Sequence, residues 1–384
     1  MVKPLKLFTP GPVDLGRCAG DTLAQPIVHH RSQQFEEAWS GLGRDLKRAF
    51  GTEARVAVLT SSGTGAMEAL VANLLAPGDR VLVPVAGKFS RRWAEICETY
   101  GVEASRLELA AGESPSPELV ADALRRNPSA AAVLLTHCES STGALTDLGA
   151  VAAAVRDVEA AVGRPILVCV DAVTSLCVDP LSQDAWGIDA AVGASQKGLL
   201  APPGLAFVTV NARAREAAGR VRRPRYYFDL ARYLDAPRPP FTPAVPVVLA
   251  VRACLAHILG LGLEKVWKAN AAAASALRAV VCAAGLKAVA TRQSGGVVGF
   301  WTAPLEADPI ARALRADHGI VIGGGQDDLK GKVLRVSGIG KGREDILFFA
   351  GAFWAVMSAL GHRFDRSQVA SSLERILEDT RIWQ

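Results

Sequence analysis

Residues 189–208 read DAAVGASQKGLLAPPGLAFV: an apolar run, a lysine, a Gly-Pro turn and a second apolar run. The runs at 189–193 and 205–210 have the length and composition of buried strands, and Lys197 is the only charged side chain in the turn between them. Working outward, the same alternation of short β-rich runs and longer helical patterns begins near residue 55. Strands are expected at 55–60, 80–85, 131–136 and 166–171, and helices at 64–75, 90–100 and 148–162. Strands alternating with helices define an α/β fold with a mostly parallel sheet.

Between residues 220 and 246 the texture changes to RVRRPRYYFDLARYLDAPRPPFTPAVP, too rich in proline for a regular element and too long for an ordinary loop. Helical periodicity returns at 247–261 and 264–284, and the remainder mixes short strands and helices as a second, smaller α/β unit. At about 150 residues per domain, 384 residues correspond to two or three domains.

Composition narrows the class. Half the residues are hydrophobic and 21% are charged, which supports large cores and argues against disorder. The net charge of +5 is too small for a broad nucleic-acid stripe but permits a small anionic ligand. Prolines interrupt the amino-terminal MVKPLKLFTPGPV, so no signal peptide is expected, and no run reaches the length of a membrane span. Seven scattered cysteines with no C-x-x-C pair suit a reduced, cytoplasmic setting. The six histidines contain no H-x-x-x-H pair, and no metal is expected.

Three positions carry candidate chemistry. A lysine between an apolar strand and a tight turn loses hydration, which lowers its pKa and lets its amine attack a carbonyl; the competing reading of Lys197 is a surface lysine reaching out of a loop. Asp171 ends the strand at 166–171, at the carboxyl edge where open α/β sheets bind ligands, although an aspartate there also suits a helix cap. Ser62-Gly63-Thr64-Gly65 joins a strand to a helix, where free N–H groups and the helix dipole favour a phosphate, or where a serine simply caps. GIGKG at 338–342 reads as a plain turn, and GGGQDD at 323–328 as a flexible border of the site.

A phosphate cradle, a carboxylate and a lysine at the exits of three strands, taken with further motifs, resemble the class V aminotransferases. These are pyridoxal-phosphate enzymes of fold type I, and the similarity is greatest to the alanine–glyoxylate and serine–pyruvate branch. The motifs are FTPGP at 8–12, HR at 30–31, SSGTGAMEA at 61–69, THCESSTG at 136–143, VDAVTSL at 170–176, GASQKGLLAPPG at 193–204 and KVLRVSGIG at 332–340.

The resemblance implies a large domain with a mainly parallel seven-stranded sheet flanked by helices, and a smaller carboxyl-terminal α/β domain. The implied boundaries are an arm at 1–20 packing on the small domain and a partner subunit, a cofactor domain at 21–260 and a small domain at 261–384. It implies pyridoxal 5'-phosphate bonded to Lys197, with Asp171 facing the ring nitrogen. Ser62, Gly63, Thr64 and Gln196 are implied to hold the phosphate, Phe89 to stack on the ring and Ser140 to lie near its phenolic oxygen. Thr242 is implied to reach the neighbouring subunit's phosphate, although Pro239-Pro240-Phe241 precedes it where relatives often carry a tyrosine. Arg335 and the backbone of Gly11 are implied to bind the substrate's α-carboxylate.

The implied activity is ping-pong transfer of the amino group of alanine, serine or glycine to glyoxylate or pyruvate, in a homodimer with shared active sites. Alternatives are a 2-aminoethylphosphonate-type transaminase, another class V enzyme and a cofactor-binding regulatory protein. A cysteine desulfurase is disfavoured because no cysteine follows Cys282.

Overall fold

The computed structural model describes residues 5–365 and 367–383. The first four residues of the expected arm, and positions 366 and 384 of the expected small domain, lie outside the described residues.

A seven-stranded sheet forms the centre, in the order Val56–Thr60, Leu205–Val210, Ala190–Ala194, Leu167–Asp171, Ala130–Thr136, Arg80–Val85 and Glu103–Glu108. Leu205–Val210 runs antiparallel to both of its neighbours, and the other pairings are parallel. Its middle strands are buried almost without interruption because helices cover both faces, which is why they read as continuous apolar runs. Phe35, Leu42, Leu46 and Phe50 of helix Gln33–Phe50 pack with Phe207 on one face. Met67, Leu70 and Trp93 pack on the other.

The local signals are conventional. Ser32 caps helix Gln33–Phe50 by accepting from Phe35 N at 3.2 Å, and Gly51 ends it in the left-handed conformation at φ 65°. Ser62 caps helix Gly63–Leu74 in the same way, accepting from Gly65 N at 3.2 Å.

Several elements depart from the sequence reading: helices Arg17–Leu23, Gln33–Phe50 and Ala212–Arg220 went unread, and Gly323–Gly324, expected as a flexible border, is a strand paired in register with Leu334 and Arg335. The seventh strand, Glu103–Glu108, was not marked by apolar residues: its EASRLE sequence lies at the sheet edge, where charge is tolerated and discourages further pairing. Helix Pro117–Arg126 also went unread. Within the proline-arginine segment, Leu230–Leu234 forms a short helix whose two terminal leucines are buried, so that segment is not wholly irregular.

A four-stranded sheet of Lys287–Ala288, Val298–Trp301, Val333–Val336 and Gly323–Gly324 builds a separate core with helices Leu263–Ala283, Ala307–His318 and Arg343–Ala359. Phe8 is fully buried in that core, its ring 5.0 Å from Phe349, so the amino-terminal segment is anchored there. Among the described residues no single helix is long and apolar enough to cross a membrane.

Candidate active site

Parallel strands end on one edge, and there the sheet delivers Asp171 and the turn carrying Lys197. Leu200, three residues past the lysine, adopts φ 53°, a left-handed conformation uncommon for a branched side chain, and its N–H donates to Lys197 O at 2.9 Å. This closes a tight turn around the lysine. The amine donates to the Pro10 carbonyl at 2.7 Å. Burial pulls its pKa down to about 8; Cys138 and Asp171 oppose the shift, whereas Arg335 and Arg92 add to it.

Gly11 has a steric reason to be glycine. A Cβ built on it lies 2.5 Å from Cδ and Cε of Lys197, and its φ of 145° disfavours any other residue.

Asp171 is buried and accepts from Val173 N at 2.8 Å. Burial raises its pKa to about 6, the Val173 hydrogen bond opposes that rise, Glu139 adds to it, and Arg92 and Lys197 again oppose it. The site therefore holds an amine and a carboxyl displaced toward one another in pKa, a pattern concentrated at functional sites.

Ser62, Gly63 and Thr64 form the first turn of a buried helix. A Cβ on Gly63 would meet Val173 Cγ2 at 2.7 Å, so the helix start and the strand end carrying Asp171 are packed as closely as glycine allows. Thr64 Oγ1 accepts from Arg92 Nη1 at 3.1 Å, and the Arg92 guanidinium lies 5.0 Å from the centre of the Phe89 ring. Phe89 and Thr64 are thus held together by an arginine that the sequence reading did not single out. Its signal was modest: Arg92 follows Phe89 by three positions, which places both on one helix face.

Glu139 was also missed. Its buried carboxylate accepts from Phe89 N at 3.2 Å and from Ser90 N and Oγ at 2.9 Å, and so caps helix Lys88–Thr99. The cap reaches back some fifty positions, which no local pattern reveals.

Arg335, on strand Val333–Val336, is 8% exposed and ion-pairs with no carboxylate among the described residues. Its Nε donates to Gly324 O and its Nη1 to Ser140 O, both at 2.9 Å. Burial lowers its pKa, and Glu139 partly offsets this. Ser140 therefore meets Arg335 through its carbonyl. Gln196 contributes a backbone carbonyl that accepts from Val13 N at 3.2 Å. Thr242 stands on the exposed surface of the proline-arginine segment.

A sheet covered by helices on both faces, presenting a buried carboxylate, a desolvated lysine and a helix start at one edge, is the arrangement of the pyridoxal-phosphate fold type I class. Residues 21–337 match the family described as Aminotransferase class-V. The chain belongs to that pyridoxal-phosphate-dependent aminotransferase family. It is 36% identical over 365 residues to the soluble hydrogenase small subunit of Synechococcus, covering 93% of this chain and 94% of that one. It is 33% identical over 352 residues to the serine–glyoxylate aminotransferase of Methylorubrum extorquens, covering 87% and 86%. Among solved structures, the subgroup IV aspartate aminotransferase of Thermus thermophilus is 43% identical, with a TM-score of 0.85 and coverage of 92% and 99%.

Proposed function

We propose that this protein transfers the amino group of a small amino acid (alanine, serine or glycine) to glyoxylate or pyruvate by a ping-pong reaction. The carrying observation is that Arg335, buried and ion-paired with no carboxylate among the described residues, contributes its charge to the same site as the Lys197 amine. A guanidinium there suits a substrate carboxylate through two parallel hydrogen bonds. The Methylorubrum relative supports glyoxylate as acceptor, and the Thermus structure adds aspartate to the donors to be tried.

The donor set fits pyridoxal 5'-phosphate. The helix start at Ser62, Gly63 and Thr64 offers N–H groups and hydroxyls to a phosphate, with Arg92 beside Thr64 and Gln196 next to the lysine. Phe89 offers a ring face, Ser140 stands beside the arginine, and Asp171 offers an anion to a ring nitrogen. When bound, the cofactor supplies the electron sink that lets an amino acid lose its α-proton.

The chain's own residues do the rest. The Lys197 amine, unprotonated in a good fraction of molecules near pH 8, makes the covalent attachment; once displaced by the donor, it takes the α-proton as general base and returns it. Arg335 and the Gly11 backbone orient the α-carboxylate. Asp171 keeps a positive ring nitrogen in place.

A homodimer with shared active sites belongs to the same proposal. It is supported by an exposed surface that includes Ile27 (71% exposed), Arg31, Tyr226 (67%) and Thr242. In this reading the segment at 220–246 closes the neighbouring pocket, and a cytoplasmic location is proposed. Domain limits at residues 20 and 260 are proposed on the anchoring of Phe8 and the separate carboxyl-terminal core.

The test is the half-reaction of the cofactor-loaded protein with a panel of amino acids and aminophosphonates, followed by the visible spectrum. Conversion by alanine, serine or glycine supports the proposal. Exclusive conversion by an aminophosphonate replaces it with the phosphonate transaminase reading.

A further inference from the structure

Asp179 is a carboxylate only 4% exposed that is ion-paired with no cation among the described residues. It follows Asp171 in the segment that leaves the carboxyl edge of the central sheet, where its N–H donates to Ser175 O at 2.9 Å and closes a turn. That turn is packed behind the nucleophile. A Cβ built on Gly198, the residue after Lys197, would meet Val178 Cγ2 at 2.6 Å.

The carboxylate crosses to the smaller core. Its Oδ2 accepts from Ser294 Oγ at 2.6 Å and its Oδ1 from Gly295 N at 2.8 Å, in the segment that enters strand Val298–Trp301. From Ser294 the bonds continue: Gly296 N donates to Ser294 Oγ at 2.9 Å, Ser337 Oγ to Gly296 O at 2.7 Å, and Ile339 N to Ser337 Oγ at 3.3 Å. Ser337 follows directly on strand Val333–Val336, and Gly299 pairs in register with Arg335 on that strand. Ser337 N donates to Phe8 O at 2.8 Å, so the arm that brings Pro10 and Gly11 to the lysine is tied in as well.

Every donor on this path points toward Asp179. The Ser294 hydroxyl gives its one proton to the carboxylate while its oxygen accepts from Gly296, and bonds aligned in this way reinforce one another. An amide at position 179 would offer one oxygen to two donors, so either Ser294 or Gly295 would lose its partner. Burying a carboxylate without a cation is costly, and apolar side chains would join the two cores at lower cost. What the carboxylate supplies is direction, because it fixes Ser294 and Gly295 at single positions.

Burial raises the Asp179 pKa to about 6, and the bonds from Ser294 and Gly295, with the charge of Arg292, oppose the rise. Arg292 is itself paired with Asp147 at 2.6 Å, and the Cys138 thiol is pushed up by burial and by Asp179. The acceptor is an anion above about pH 6 and a neutral acid below it.

We propose that Asp179 is a positioning residue for Arg335: by fixing Ser294, Gly295 and, through Gly296, Ser337, it holds the strand that carries Arg335 in place against the Lys197 turn. This rests on the reading of Arg335 as the α-carboxylate site. Asp179 acts only through the segments it joins.

The experiment measures, by calorimetry on the cofactor-loaded protein, the affinity for propionate, an unreactive acid with one carboxylate. At about pH 8, Asp179→Asn weakens propionate about fivefold while cofactor retention in equilibrium dialysis changes by less than about twofold. Ser294→Ala, which keeps the acid and removes the link, weakens propionate by a similar factor. At about pH 5 the wild-type protein has lost its anion, and its advantage over both variants shrinks toward one. Where Asp179→Asn fails to fold, the same comparison is made with Ser294→Ala. Propionate affinity equal to wild type at about pH 8, a loss of the same size at both pH values, or a loss matched by an equal loss of cofactor overturns the proposal and leaves Asp179 as a structural contact. If Arg335→Ala leaves propionate binding unchanged, the Arg335 reading itself fails, and Asp179 has no substrate strand to position.

Discussion

The Lys197 amine and the Pro10 carbonyl are hydrogen-bonded at 2.7 Å although 187 positions separate them in the chain. A neutral carbonyl supplies no charge to hold the ammonium form, so burial governs the pKa and brings it to about 8 from the usual 10.5. The nucleophile is the unprotonated amine. Covalent capture of pyridoxal phosphate by Lys197, trapped with borohydride and quantified by mass spectrometry, should rise with pH through about 8 and then level off. A rise centred near the usual lysine value would contradict the burial. Lys197→Ala should retain phosphate-dependent binding but lose both capture and turnover.

Gly11 tests the same contact from the other side. Gly11→Ala places a methyl group 2.5 Å from the lysine chain at a φ of 145°, so the amine must move or the loop must open. Capture by Lys197 should slow at every pH. A capture rate equal to wild type would show that the loop yields without moving the lysine.

Asp171 carries a stability signature. Its folded pKa of about 6 lies above the usual 3.8, so the neutral acid is the form favoured by folding. That contribution is present below the usual value and is lost as pH rises through 6. Roughly two pKa units correspond to about 3 kcal/mol. In cofactor-free protein, Asp171→Asn should therefore gain about 2–3 kcal/mol of unfolding free energy relative to wild type between pH 4 and pH 7, by urea titration. In the loaded enzyme the same change should lower the maximal rate far more than it weakens donor binding if Asp171 is the anion proposed to face the ring nitrogen.

How much of this was legible depended on where each signal resides. Lys197, Asp171 and Arg335 announce themselves because each is a charged residue breaking or ending an apolar strand run, and the sheet edge then gathers the first two. Strand Glu103–Glu108 was hidden because an edge strand need not be apolar; the expected count of seven came from the family resemblance and not from the runs themselves. Glu139 was hidden for a different reason: its carboxylate caps a helix fifty positions upstream, and only the folded chain brings the two together. The helix start at Ser62 is a serine cap, Oγ accepting from Gly65 N, and this cap does not compete with the proposed phosphate for the Gly63 and Thr64 N–H groups.

Arg92 is the clearest residue to test among those missed. It bonds Thr64 and lies over Phe89, so its loss removes a cation beside the proposed phosphate cradle and loosens the ring. Hydrogen bonds to a charged group are worth about 1.5–3 kcal/mol, and Arg92→Ala should weaken cofactor retention by about ten- to a hundredfold in equilibrium dialysis. Arg92→Lys should restore only part, lacking the planar face. Retention equal to wild type in both variants would restrict Arg92 to holding Phe89.

On the proposed reading, Arg335 is the residue that tests the substrate class. Its guanidinium is buried, bonded to Gly324 O and Ser140 O, and ion-paired with no carboxylate among the described residues, so a carboxylate that meets it is charge-assisted and largely dry. Truncating one member of such a pair costs roughly 2–5 kcal/mol. Arg335→Ala should lose catalytic efficiency with alanine or serine by tens- to thousands-fold while keeping the cofactor spectrum, and Arg335→Lys should recover only part of it because an ammonium lacks the fork. The spectrum must be read alongside the rate, since Ser140 loses a partner too and a displaced cofactor would also lower activity. Equal losses with alanine and with a donor lacking the α-carboxylate would mean that Arg335 supports the fold of the site and does not grip the substrate.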